Sequence, residues 1–88
     1  MSNKIEFTKT ALRQAKKLPR SVWLRLVPRI ESLAHKPLPA GSKQLVGLAG
    51  VYRIRMGDYR VIYRFHKTDK VITVVKIAHR REIYDRLG

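Results

Sequence analysis

Apolar residues recur along this chain in three successive rhythms, and each change of rhythm marks a new element. Lys4 to Phe7 alternates and reads as a short strand. Thr8 follows at the position of a helix N-cap, where its hydroxyl accepts a free backbone N–H of the first turn; Phe7 and Leu12 stand at staple spacing. The helix so started is predicted to run to about Leu18, and Pro19 stops it. From Val22 to Ala34 the apolar positions Val22, Trp23, Leu26, Val27, Ile30, Leu33 and Ala34 follow helical spacing and leave Arg25, Arg29 and Glu31 outward. Pro28 lies inside this second helix, and because the stripe continues on both sides it bends the helix rather than ending it.

His35 to Gly50 holds Pro37, Pro39, Gly41, Gly47 and Gly50 and reads as a long surface connection carrying Lys43. Two alternating runs then follow, Val51 to Met56 and Tyr59 to Phe65, joined by the two-residue hairpin turn Gly57-Asp58. Lys70 to Ile77 is apolar at nearly every position, which predicts a strand in the middle of the sheet. Its register is open, because the Lys67 to Asp69 turn admits more than one loop length. The predicted order is β-α-α-β-β-β, an α+β fold in which two N-terminal helices pack on a mainly antiparallel sheet. No linker or repeat divides residues 1–88, so a single domain is expected.

The two-residue turn fixes which residues share a face. Met56 falls opposite Tyr59, Arg55 opposite Arg60, Ile54 opposite Val61 and Arg53 opposite Ile62. Tyr52, Ile54, Met56, Tyr59, Val61, Tyr63 and Phe65 then face the helices, and Arg53, Arg55, Arg60 and Arg64 surround Ile62 on the other side. Like charges directly opposite in a sheet destabilise it by a few tenths to roughly 1 kcal/mol, so Arg55 facing Arg60 points to a bound anion that offsets the repulsion.

Composition points to the same chemistry. Twenty Lys and Arg against six Asp and Glu give a formal net charge of +14, which favours a nucleic acid or an acidic protein as partner. The charges spread from Lys4 to Arg86, and no helix pairs a basic face with a large aromatic one, which argues against a membrane surface. There is no cysteine, and His35, His66 and His79 lack ligand spacing, so neither a disulfide nor a structural metal is expected. Met1 to Phe7 contains no apolar run of signal-peptide length, and a cytoplasmic protein is expected.

Several segments together resemble the RelE/ParE toxin superfamily. They are Lys43-Gln44-Leu45 through Gly47, Tyr52-Arg53-Ile54-Arg55, Gly57-Asp58-Tyr59-Arg60-Val61-Ile62-Tyr63 and His79-Arg80-Arg81-Glu82-Ile83-Tyr84. The resemblance implies a microbial-ribonuclease-like fold with a curved sheet, and the toxin of a type II toxin–antitoxin system. It also implies an endoribonuclease that cuts mRNA in the ribosomal A site by attack of the ribose 2′-OH on the neighbouring phosphate, without a metal or other cofactor. Carried over by position, Arg53, Arg55 and Arg60, one of Arg80 and Arg81, and Tyr84 become the catalytic set, with Lys43, Arg64 and the other C-terminal arginine holding RNA.

Relatives of the RelE type often carry lysines where this chain has Arg53 and Arg55. Arginine stays protonated and is a poor base, which leaves His79 as the natural substitute. The implied partners are the ribosome with its mRNA and an acidic RelB-like antitoxin in a heteromeric complex. Two other readings compete: a ParE-like gyrase inhibitor without nuclease activity, and a non-catalytic RNA-binding module.

Overall fold

The structure is a computed structural model that describes residues 2–79. The elements run β1 (Lys4–Phe7), α1 (Lys9–Lys17), α2 (Arg20–Ser32), β2 (Lys43–Gln44), β3 (Val51–Met56), β4 (Tyr59–His66) and β5 (Val71–His79). The five strands form one sheet in the order β1-β5-β4-β3-β2, with β1 parallel to β5 and the other pairs antiparallel. β5 lies between β1 and β4, as its nearly continuous apolar sequence requires.

Local chemistry sets the element ends. The Thr8 hydroxyl accepts from the Ala11 N–H at 3.1 Å, capping α1. Leu12, the expected staple partner of Phe7, remains 47% exposed, and the Phe7 ring instead meets Trp23 edge-on at 6.3 Å, joining β1 to α2. Pro19 is the N-cap of α2, which passes through Pro28 without a break. At the β3–β4 turn Gly57 takes φ +58°, the left-handed value that a turn with Gly at its first central position needs.

The core lies between the helices and one face of the sheet. Ala11, Ala15, Leu26, Ile30 and Leu33 meet Ile54, Met56, Val61, Tyr63, Ile72, Val74 and Ile77. A smaller cluster of Val51, Ile62 and Ala78, with Leu45 and Val75 against it, occupies the opposite face. The β4–β5 register, open in the sequence, closes with a four-residue loop from Lys67 to Lys70 and a bulge between Ile62 and Tyr63: Ile62 faces Lys76, while Tyr63 faces Val74.

Side chains complete both short edges of the sheet. Beyond β1, the Thr8 hydroxyl donates to the Val75 carbonyl at 3.2 Å and the Gln14 side-chain oxygen accepts from the Ile77 N–H at 2.8 Å. Beyond β2, Nη2 of Arg29 donates to the Arg55 carbonyl at 3.3 Å. Each bond satisfies a backbone group that would otherwise be left on an open edge.

Tyr63 ties the long connection to this framework. Its hydroxyl donates to the Pro37 carbonyl at 2.7 Å, and its ring stacks on Tyr52 at 6.0 Å. Burial pushes its phenol up to about 12, with Ser42 pulling slightly the other way and Tyr52 adding to the rise. In the unfolded chain the phenol ionises near 10, so the native state holds the proton longer. Stability present below pH 10 is therefore lost as pH climbs from 10 to 12, by about 2 kcal/mol. Urea unfolding measured across that range should show a steeper loss for wild type than for Tyr63→Phe; parallel curves would remove Tyr63 as the cause.

Candidate RNA phosphate site

The hairpin register builds the site. Arg55 stands opposite Arg60 and Arg53 opposite Ile62, while β2 adds Lys43 across from Arg53. Alternation then turns Arg53, Arg55, Arg60 and Lys43 to one side of the sheet. With Arg29, Gly41 and Gly57 they line an open cleft of about 490 Å³. Five cations face this cleft, and among the described residues no carboxylate lines it.

Arg60 is the buried member, at 6% exposure. Its Nη1 donates to the carbonyls of Gly57 at 3.3 Å and Tyr59 at 3.2 Å, which aims the guanidinium back toward the turn. Nε of Arg55 donates to the same Gly57 carbonyl at 3.4 Å, so the two arginines converge on one point of the turn. A desolvated cation beside other cations, held by carbonyl dipoles, is electrostatically unfavourable until an anion arrives. A phosphate suits the arrangement because guanidinium forks bind its oxygens two at a time.

The structure brings Arg53, Arg55 and Arg60 to one face as the hairpin register predicts, adds Lys43 to them through β2, where the sequence reads as a loop, and sets two other expected residues apart. Arg64 shares the face but pairs with Val51 and Thr73, four residues and roughly 13 Å along β4 from Arg60, and it does not line the cleft. His79 pairs with Tyr59, and the neighbouring pair Arg60–Ala78 belongs to the other face, so its imidazole is on the opposite side of the sheet from Arg60. There it meets the Tyr59 ring edge-on at 5.4 Å, in a cleft with Gln14, Lys17 and Ile77. That position removes the geometric case for His79 as the base. Arg80, Arg81 and Tyr84 lie outside the described residues.

Sequence reasoning missed Arg29. Its place on the polar side of the second helix marked it only as outward, whereas the open edge of β3 gives it a carbonyl to hold and puts it in the cleft.

Residues 5–84 match the family model described as the ParE toxin of type II toxin-antitoxin systems, parDE. The chain belongs to the RelE/ParE toxin superfamily. Toxin RelG of Mycobacterium tuberculosis is 32% identical over 83 residues, covering 93% of this chain and 95% of the relative. The putative toxin RelE1 of Methanocaldococcus jannaschii is 34% identical over 87 residues, covering 96% and 97%. Among solved structures, the RelBE2 toxin–antitoxin complex of Mycobacterium tuberculosis aligns with a TM-score of 0.80 at 30% identity, covering 91% of this chain and 100% of the other. The archaeal RelE–RelB complex of Pyrococcus horikoshii gives the same score and identity, covering 91% and 97%. This RelE/ParE chain is thus a toxin of a toxin–antitoxin system, and its basic cleft lies on a fold shared with RelE toxins. Among its described residues no helix is long and apolar enough to cross a membrane.

Proposed function

We propose that this toxin is a ribosome-dependent endoribonuclease that cuts mRNA in the A site, with the cleft of Arg29, Lys43, Arg53, Arg55 and Arg60 holding the scissile phosphate. The carrying observation is the convergence of buried Arg60 and cross-strand Arg55 in a cleft with no carboxylate lining among the described residues. The 2′-oxygen of the upstream ribose attacks phosphorus while the bond from phosphorus to the 5′-oxygen breaks. The products are a 2′,3′-cyclic phosphate and a free 5′-hydroxyl. The arginines stabilise the charge that builds on the phosphoryl oxygens, a contribution worth roughly 100- to 1,000-fold in rate per well-placed donor. They remain protonated, so proton transfer falls to other groups, and Tyr84 with Arg80 or Arg81 completes the catalytic set.

An acidic RelB-like antitoxin is the proposed partner in a heteromeric complex. A charge of +14 supplies the electrostatic attraction, and both structural relatives named above are complexes with antitoxins. The proposed site of action is the cytoplasm, where the ribosome carries its mRNA.

The description of the matching family model as ParE supports a second reading, a gyrase inhibitor without nuclease activity. The names RelG and RelE1 of the two relatives favour the nuclease. Inducing the toxin in growing cells separates the two. Truncated mRNAs with intact chromosomal DNA are expected, whereas intact transcripts with DNA breaks would establish the gyrase reading.

A further inference from the structure

We propose that the apolar cleft next to the basic one is a nucleobase subsite, which receives a base adjoining the phosphate held by Arg55 and Arg60. It is lined by Lys43, Gln44, Leu45, Val46, Leu48 and Arg53 and has a volume of about 360 Å³. Lys43 and Arg53 also line the basic cleft, so the two clefts adjoin across these side chains, one cationic and the other largely aliphatic. A nucleotide divides its chemistry in the same way, into a charged phosphate and a flat base with a hydrogen-bonding edge. This inference rests on the reading of the basic cleft as an RNA phosphate site.

The loop that forms the apolar end is built to hold its side chains out. The Leu48 N–H donates to the Leu45 carbonyl and the Val51 N–H to the Leu48 carbonyl, both at 3.2 Å, giving two successive turns. Gly47 and Gly50 occupy the third position of each, both at φ +77°, the value a type II turn requires there. The Leu45 N–H donates to the Val51 carbonyl at 2.9 Å and closes the loop onto the sheet.

Val46 therefore stands fully exposed at a turn corner and Leu48 half exposed, beside the cations of the site. Aliphatic groups held in water at the mouth of a phosphate site offer a face for a base to cover.

The test is a titration of methyl-labelled toxin, followed by NMR, with three probes: a dinucleotide blocked by a 2′-O-methyl group, its abasic counterpart, and inorganic phosphate. The dinucleotide alone should shift the Val46 and Leu48 methyl signals. A Val46→Ser, Leu48→Ala double variant, changed only at exposed positions, should bind the dinucleotide roughly 10-fold more weakly, on the order of what losing a few buried methyl contacts costs, and inorganic phosphate as well as wild type does. Equal shifts with the abasic compound would overturn the proposal. So would shifts on adding an acidic antitoxin with none on adding the dinucleotide. The titration needs neither ribosome nor cleavage, so an inactive nuclease and an absent base subsite give different results.

Discussion

Arg60→Met should lower ribosome-dependent mRNA cleavage by at least about 100-fold while leaving the toxin as stable as wild type, or more stable by up to about 1 kcal/mol. The loss follows from removing a buried guanidinium that converges with Arg55 on the Gly57 carbonyl. The gain follows because methionine keeps much of the buried volume and removes a cation that faces Arg55 directly across the strands. A well-packed apolar replacement for a desolvated charge is commonly neutral or stabilising. A structural arginine would behave oppositely, losing stability with activity falling only in proportion. The pair of measurements, cleavage rate in translating extract and midpoint of urea unfolding, therefore separates a site built for an anion from a residue that holds the fold. Full activity in Arg60→Met would remove Arg60 from the reaction.

Leu26→Ala should cost roughly 2 to 5 kcal/mol of folding stability, the range for deleting a fully buried leucine side chain that leaves a cavity. Leu26 is fully buried where α2 meets the sheet, in the cluster with Ile54, Val61 and Tyr63. An 88-residue domain holds only about 4 to 13 kcal/mol in total, so the variant alone is expected to lose a large share of its stability and to unfold at a markedly lower urea concentration. A partner that binds only the folded toxin restores stability by mass action, so the variant should recover when mixed with its antitoxin. Denaturant unfolding with and without antitoxin checks both statements. A loss below 1 kcal/mol would mean that the packing of α2 on the sheet is less tight than its burial implies.

The parts of the site that were legible in the sequence are those fixed by local rules. A two-residue turn at Gly57-Asp58 leaves one pairing for the strands on either side, and alternation then places Arg53, Arg55 and Arg60 on one face without reference to any distant element. The interior position of β5, next to the central β4, was legible for a similar reason, since a strand apolar on both sides needs neighbours on both edges and cover on both faces. What escaped depends on contacts between segments far apart in the chain. β2 is two residues long, too short to show a period, and exists because Lys43 and Gln44 find Arg53 and Tyr52. Arg29 reads as solvated until the uncovered edge of β3 supplies its carbonyl. The face taken by His79 depends on the β4–β5 register, which in turn depends on a loop length and a bulge that the sequence leaves open.

Mapping RNA ends with purified toxin tests the central claim most directly: that these gathered guanidinium groups hold a ribose-phosphate linkage for scission on the ribosome. Defined mRNA is incubated with toxin alone, with toxin and programmed 70S ribosomes, and with ribosomes and Arg60→Met. New 5′-hydroxyl and 2′,3′-cyclic phosphate ends are expected at A-site codons only where wild-type toxin and ribosomes are both present. Intact mRNA under all three conditions, or equal cutting by wild type and Arg60→Met, would contradict that claim.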